Sequence, residues 1–328
     1  MRFTKSSSQA LLLFLAAAFA ALLTYQSKHA GNNAEADHSS EQVIEVSLAD
    51  KVARDITENV IVDFHRQFSA STNELVQSAQ DFCAQPDREK QRVLQGHWRI
   101  AMSDWQAVKL INFGPIEKEN QSWRLQFWPD KKNLVGRKIK SLLKSQQNLT
   151  LESIAGTSVV IQGLSGLEYL LFDSKGGNFE RYSSATEGAR QCELLQGIAT
   201  LTSRIAKGLS QHWQLDSEHV RSFLHPNTEI DNNEGIKNIE TTPPLTLILE
   251  SLLANLETLK NNKLSAPLGI NSIKQSPNPY LAEAWRSQYS LELIQRNIVA
   301  SQQLLVNGEL LGFTDYLNAQ NQGALAKE

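Results

Sequence analysis

The sequence predicts an all-α protein built of two packed helical bundles. In the first half of the chain, apolar residues such as Val52, Ile56 and Val60 recur every four positions, which is the spacing of one helix face. No stretch alternates convincingly between polar and apolar residues, so no β-strand is predicted. The 328 residues are enough for two domains, and a composition of 41% hydrophobic and 20% charged residues is typical of a soluble globular protein.

The N-terminus has the pattern of a secretory signal peptide. Arg2 and Lys5 precede the apolar run 10–23, which contains the small-x-small sequence Ala-Phe-Ala at positions 18–20. Residues 1–25 are therefore predicted to be a signal peptide, and an uncleaved membrane anchor is the alternative. No cysteine follows the run, so a lipoprotein anchor is not expected. Residues 26–42 are small and polar and predict a flexible tether. The expected location is the periplasm or cell envelope.

The two cysteines, Cys83 and Cys192, would then lie in an oxidising compartment. A disulfide between them is predicted, because such compartments favour disulfides. It would tie the end of the first long helix to the start of a later one. Two separate buried thiols are the alternative. The spacing of the two residues shows no metal-ligand pattern.

Two domains are predicted, residues 43–174 and 175–328, with the boundary at the break Lys-Gly-Gly-Asn at 175–178. In the first domain, one long helix should stop at Pro86, and a second should begin at Asp87 as its N-cap. In the second domain, helices are predicted at 184–213, 216–224, 245–260, 281–306 and 313–317. The stretches 226–244 and 265–279 are predicted to be loops.

A basic segment follows the first two helices. Six cations occur before the next acid, Glu152: Lys131, Lys132, Arg137, Lys138, Lys140 and Lys144. A solvated helix face explains this pattern, and an electropositive rim that attracts an anionic partner is the alternative. The overall net charge of −3 argues neither for nor against nucleic-acid binding. Because no nucleic-acid motif is present, no nucleic-acid partner is expected.

The stretch 156–173 predicts a buried helix at the centre of the fold. It is apolar almost all round, and its glycines at 156, 163 and 166 would let neighbouring segments approach closely. Glu168 is its one ionisable group before Leu171. A buried carboxylate must be paired, hydrogen-bonded or protonated, so Glu168 is the leading candidate for a functional residue. A buried salt bridge that only locks two helices together is the alternative.

Four segments in order resemble the imelysin-like family, a group of periplasmic proteins that includes M75-type peptidases. GLSGLEYLLF at 163–172 is similar to that family's Gly-x-His-x-x-Glu segment. WQAVKLINFGP at 105–115, RLQFWPDKKN at 124–133 and WRSQYSLELI at 285–294 resemble three others. The motif's histidine is Ser165 here, and a hydroxyl is a poor ligand for a transition metal. The resemblance therefore extends to Gly163 and Glu168 but not to a complete metal site, with Glu168 at most as a ligand.

The resemblance implies an all-α envelope protein associated with iron or haem-type acquisition, which binds a small ligand or an envelope protein near Glu168. The residues expected to form this pocket are Gly163, Ser165, Glu168, Trp105, Trp128, Asp130 and Arg286. Arg286 is the expected partner of Glu168, through a bidentate guanidinium contact. No catalytic residue is assigned. No cofactor is expected, and iron or another divalent metal is the alternative.

Two other functions remain open. A metallopeptidase of the M75 type would need a metal-bound water and a general base, for which the sequence offers no ligand set. An envelope interaction protein would dock its partner through the basic segment and the loop at 226–244. Membrane association is expected only through an uncleaved N-terminal segment.

Overall fold

The structure, a computed structural model, describes residues 47–225, 230–231, 235–236, 242–270, 272–273, 275–306 and 310–327. Helices dominate this part of the chain, so the all-α prediction is confirmed. The α-helices are α1 (Leu48–Ile56), α2 (Val62–Ala84), α3 (Arg88–Val108), α4 (Gln121–Leu125), α5 (Leu134–Lys144), α6 (Leu151–Ala155), α7 (Gly163–Phe172), α8 (Phe179–Tyr182), α9 (Gly188–His212), α10 (Glu218–Leu224), α11 (Pro244–Thr258), α12 (Ala266–Leu268), α13 (Ser290–Leu305) and α14 (Phe313–Ala319).

Shorter segments connect or extend these helices. The π-helical segments Thr57–Ile61 and Leu259–Ser265 continue α1 and α11. Single 3₁₀ segments lie at Gly114–Asn120, Val159–Ile161, Pro279–Leu281 and Leu325–Lys327. One antiparallel pair of two-residue strands, β1 (Ile230–Asp231) and β2 (Gly235–Ile236), occurs in the stretch predicted as the loop 226–244, with Ile230 opposite Ile236. The other residues of that stretch before Thr242 lie outside the described residues.

The start of α3 follows the predicted capping chemistry. Asp87 is extended, and its carboxylate accepts a hydrogen bond from the backbone N–H of Lys90 at 2.8 Å. Pro86 separates this cap from the end of α2 at Ala84. α2 and α3 can therefore turn sharply and pack against each other.

α2 and α3 form the centre of the packing. α2 packs against α3 on one side and α9 on the other, while α3 also contacts α7 and α13. A disulfide joins Cys83 at the end of α2 to Cys192 near the start of α9, with their Cα atoms 5.6 Å apart. Helices from both sides of residue 174 therefore share one apolar core. The division into domains 43–174 and 175–328 stays a prediction.

The predicted signal peptide at 1–25 and the tether at 26–42 lie outside the described residues. Within the part of the chain that is described, no helix combines the length and the apolar character needed to cross a bilayer.

Candidate functional site

α7 carries Glu168 into the middle of the molecule, and every residue from Gly163 to Leu171 is buried. Gly163 has a φ of +64°, and a Cβ there would lie 2.2 Å from the carbonyl oxygen of Leu125. Only glycine fits both conditions, so Gly163 lets the end of α4 approach the start of α7. Gly166 is similar, because a Cβ there would lie 2.1 Å from the carbonyl oxygen of Ile161.

The Glu168 carboxylate is fully engaged by a segment far along the chain. Its Oε1 accepts hydrogen bonds from the backbone N–H and the hydroxyl of Ser287, each at 3.0 Å. Its Oε2 lies 3.7 Å from Nη1 of Arg286. Burial raises the pKa of the Glu168 carboxyl, while Arg286 and the Ser287 hydrogen bonds oppose that shift. The predicted pairing with Arg286 is present, but through one guanidinium nitrogen rather than in the expected bidentate form.

Arg286 is a buried cation among three carboxylates, and its side chain is only 3% exposed. Its Nε lies 3.3 Å from Asp173, and Nη2 lies 3.9 Å from Asp130. Nη2 also donates to the side-chain oxygen of Asn133 at 2.7 Å. The guanidinium stacks over the Trp285 ring, 4.4 Å from its centroid. Arg286 is thus held from every side in one orientation.

The segment that supplies Arg286 and Ser287 is a series of turns, so the predicted helix 281–306 is wrong at its start. α13 begins only at Ser290. Ala284 and Gln288 have φ values of 54° and 55°, which are incompatible with a continuous right-handed helix. The Ser287 backbone N–H, which a helix would use internally, is given to Glu168 instead. The hydrogen bond to the buried carboxylate replaces the helical one.

A small cavity lies against these groups, with a volume of about 20 Å³, enough for one water molecule. Five of the predicted site residues line it: Ser165, Glu168, Trp128, Asp130 and Arg286. Trp128 is held there by a hydrogen bond from its Nε1 to the carbonyl oxygen of Leu281 at 3.3 Å. These five residues, predicted from the sequence to share a site, are brought together by the fold from α7, the turn before α5 and the turn before α13.

Two predicted site residues lie elsewhere. Trp105 is buried in the core, where it packs against Phe68 and donates from Nε1 to Gln126 at 2.7 Å. It does not line the cavity, because Trp98 and Met102, about two turns and one turn earlier on α3, take that position. Gly163 acts through the close approach of α4 rather than through contact with the cavity.

The residues present do not fit a metal ion at the motif position. Ser165 donates its hydroxyl proton to the carbonyl oxygen of Phe127 at 3.1 Å. Glu168 already has its two oxygens committed to Ser287 and Arg286, and a guanidinium beside it opposes a second cation. Across the described residues, no group of three or more His, Cys, Asp or Glu side chains is arranged to hold a metal.

A second buried polar cluster, which the sequence interpretation missed, lies beside the first. Glu283 is buried, and its Oε1 lies 3.1 Å from Lys109 and accepts from Gln126 at 2.8 Å. Its Oε2 lies 2.9 Å from Nζ of Lys263, which also donates to Gln106 at 2.6 Å. Gln126 lines the cavity, and Glu283 belongs to the turn that carries Arg286. The cluster therefore helps to hold the cavity lining and this turn in place.

The charges of this cluster are strongly coupled. Burial lowers the pKa of Lys263 to about 8, against the attraction of Glu283. Burial would raise the pKa of Glu283, but Lys109 and Lys263 together lower it to about 2. A sequence signal for Lys263 did exist. One buried helical face runs through α11 and its π-helical extension, and it consists of Leu252, Asn255, Leu259 and Lys263.

Aromatic rings surround the mouth of the cavity. Tyr280 lines the cavity, is 64% exposed, and meets the Trp285 ring edge-on at 4.8 Å. Trp123 is 47% exposed and packs against Phe127, which is also part of the lining. Trp128 is half-buried and also lines the cavity. We call this set, Trp123, Phe127, Trp128, Tyr280 and Trp285, the aromatic rim.

The all-α fold and a buried acid at the end of a Gly-x-Ser-x-x-Glu segment define an imelysin-type protein. The chain belongs to the imelysin family, whose family model (Peptidase_M75, Imelysin) matches residues 61–328.

Solved structures have the same fold. An imelysin-like protein from Psychrobacter arcticum 273-4 is similar with a TM-score of 0.68 at 19% identity, covering 87% of this chain and 81% of that one. A protein described as a "putative iron-regulated protein A precursor" from Parabacteroides distasonis ATCC 8503 has a TM-score of 0.64 at 16% identity, covering 89% and 83%. No match is found among curated proteins.

Proposed function

We propose that this protein is a cell-envelope member of the imelysin family that binds an iron-carrying, anionic aromatic ligand of the haem type without holding a metal on its own side chains. The observation that carries the proposal is the contact between Arg286 and Glu168, with Nη1 and Oε2 3.7 Å apart. A buried arginine stands beside the motif's carboxylate, so the site is built around a protein cation. The N-terminal pattern of residues 1–25 supports an envelope location.

The dimensions of the site decide how such a ligand would be bound. A cavity of about 20 Å³ admits one small group or a water, not a macrocycle. A flat ligand would therefore lie across the mouth, against the exposed faces of the aromatic rim. Aromatic pairs contribute about 0.5–1.5 kcal/mol each beyond the area they bury. Lys131 and Lys132, exposed just after Asp130, would attract the ligand's carboxylates.

The association with iron is supported by the name of one structural neighbour, a "putative iron-regulated protein A precursor". A peptidase function has no such support from this site, because Glu168 is not free to act as a general base. Its two oxygens are taken by Ser287 and Arg286.

Titration of the purified protein with haemin, followed by Soret absorbance and by quenching of tryptophan fluorescence, tests the proposal. We expect saturable one-to-one binding that the double variant Trp128→Ala/Trp285→Ala weakens at least tenfold. Phe179→Ala, which removes a half-buried aromatic outside the rim, should bind like the parent. Absence of saturation up to 100 µM haemin would overturn the proposal. Equal affinities in the parent and the double variant would do the same.

A further inference from the structure

We infer that the face around the cavity mouth docks onto an anionic lipid surface, with the loop 264–280 among the headgroups and the neighbouring lysines against their phosphates. The docking face shares Lys131, Lys132, Trp123 and Tyr280 with the mouth of the proposed ligand site, so its test uses the protein without haemin. It rests on three properties of the described residues: apolar exposure, the absence of acids and the position of the cations.

The loop 264–280 concentrates exposed apolar side chains. Ile273 is 106% exposed, so it projects completely from the protein. The large hydrophobic residues exposed in this loop are Leu264, Leu268, Ile270, Ile273 and Tyr280. The sequence between 264 and 280 contains no acid, and its one charged residue is Lys274. Exposed apolar groups at this density are typical of interaction surfaces rather than of solvated loops.

The loop is held in shape by its own backbone. The Asn278 N–H donates to the carbonyl oxygen of Pro267 at 2.8 Å, and the Ile270 N–H donates to that of Ser265 at 3.0 Å. Gly269 has a φ of +70°, and a Cβ there would lie 2.2 Å from the carbonyl oxygen of Ser276. Pro267 and Asn278 are therefore joined at the base of the loop, and the described apolar residues Leu268, Ile270 and Ile273 lie between them.

The basic segment begins beside this loop. Tyr280, at the end of the loop, lines the same small cavity as Asp130, and Lys131 and Lys132 follow Asp130 directly. Asp130 accepts hydrogen bonds from the backbone N–H groups of Leu134 and Val135, so its charge is turned inwards.

The cations themselves are available. Among the described residues, no carboxylate lies within 4 Å of Lys131 or Lys132, nor of the four cations of α5. Each lysine or arginine close to an anionic membrane strengthens binding about fivefold. Lys131 and Lys132, which follow Asp130 next to this loop, therefore give a preference for negatively charged lipid.

A lipid surface fits these features better than an acidic protein does. A fully projecting isoleucine needs a partner that closes around it, which acyl chains and headgroups do without a preformed pocket. Trp123 and Tyr280 flank the mouth with half-exposed rings, and tryptophan and tyrosine favour the boundary between water and hydrocarbon. Lysine side chains extend their charge towards phosphates while their stems cover apolar surface.

Flotation of the purified protein with vesicles tests the inference, using phosphatidylcholine alone and phosphatidylcholine with phosphatidylglycerol at a 3:1 ratio. We expect binding to the mixed vesicles at least tenfold tighter than to neutral ones, decreasing as salt is raised. Lys131→Glu/Lys132→Glu and, separately, Ile273→Asp should each weaken binding to the mixed vesicles at least tenfold. All three positions are exposed, so the variants should keep the parent's far-ultraviolet circular dichroism and melting temperature.

Matched controls come from other exposed positions. Leu215→Asp changes an exposed leucine in the connection between α9 and α10, and Lys51→Glu/Lys207→Glu reverses two exposed lysines on α1 and α9. Both controls should float like the parent. Equal partition onto neutral and anionic vesicles, or equal losses in variants and controls, would overturn the inference. Failure to float, combined with retention on immobilised polyglutamate, would replace the lipid with an acidic protein partner.

Discussion

Ser287 donates both its backbone N–H and its hydroxyl to the same carboxylate oxygen of Glu168, at 3.0 Å each, across 119 positions of the sequence. With Arg286 beside the other oxygen, this contact completes a site that α7 begins. The buried acid is therefore satisfied by the turn before α13, and the two segments form one unit.

Replacing Glu168 should show how much this unit contributes to stability. Glu168→Ala leaves the Arg286 guanidinium buried without one of its partners, and breaking a buried pair in this way is strongly destabilising. We expect a loss of about 3 kcal/mol in the free energy of unfolding, measured in urea. Glu168→Gln keeps an oxygen acceptor for Ser287, so its free energy of unfolding should fall by less than that of Glu168→Ala. Equal stability of Glu168→Ala and the parent would mean that the contact does not hold the turn.

The cluster of Glu283 and Lys263 should behave as a coupled pair. Glu283→Gln leaves the Lys263 ammonium buried without a carboxylate, so we expect a loss of about 3 kcal/mol in the free energy of unfolding. The double variant Lys263→Met/Glu283→Gln removes the stranded charge and should recover more than half of that loss. A double-mutant cycle in urea measures the coupling. Strictly additive losses would contradict it.

The acid dependence of stability should include a contribution from His65. Burial lowers the pKa of His65 to about 4, and the Nδ1–H donates to the carbonyl oxygen of Ile61 at 2.8 Å. In the unfolded chain this imidazole has its ordinary pKa of 6.5, so it takes up a proton before the folded protein does. The free energy of unfolding should therefore fall as the pH drops from 6.5 to 4, by about 3 kcal/mol for this group.

The His65 ring stacks on the Trp213 ring, with their centroids 5.3 Å apart, and His65→Phe keeps an aromatic ring there. This variant should flatten the dependence of the free energy of unfolding on pH between 6.5 and 4. His97→Gln changes a histidine on α3 and is the control. The measurement is the difference between the stability–pH curves of variant and parent. If the curves of His65→Phe and the parent run parallel between pH 6.5 and pH 4, the assignment to His65 is wrong.

The disulfide should contribute strongly because it closes a long loop. Cys83 and Cys192 are 109 positions apart, and the chain-entropy model gives about 5 kcal/mol for a loop of this length. We expect Cys83→Ala/Cys192→Ala to lower the midpoint of urea unfolding accordingly. Adding a reductant should shift the parent, but not the double variant, by a similar amount. If Cys83→Ala/Cys192→Ala lowers the free energy of unfolding by less than about 1 kcal/mol, helix packing alone holds the end of α2 against the start of α9.

Much of the site could be predicted from the sequence because its central residue breaks a local pattern. Glu168 is the one acid in an apolar helical stretch, and the prediction that it is buried is confirmed. The all-α fold followed from helical periodicity, which is a strong signal in long helices such as α2 and α3. The position of Trp105 did not follow, since Trp98 and Trp105 lie two turns apart along α3 and only Trp98 lines the cavity.

The parts that were not predictable depend on tertiary contacts. Nothing in the local sequence between 281 and 290 forbids a helix, and the turns at Ala284 and Gln288 exist because Ser287 and Arg286 reach Glu168. Lys263 was missed because lysine in a polar run is usually solvated. Its burial depends on Glu283, which lies 20 residues further along the chain.

The most direct test of the central claim, that the Glu168 site functions without its own metal, is a calorimetric titration of the purified protein with Fe(II) and with Zn(II). We expect no stoichiometric binding of either ion at micromolar concentrations, in the parent and in Glu168→Gln alike. One-site micromolar binding that Glu168→Gln abolishes, in a variant that still unfolds cooperatively, would contradict it.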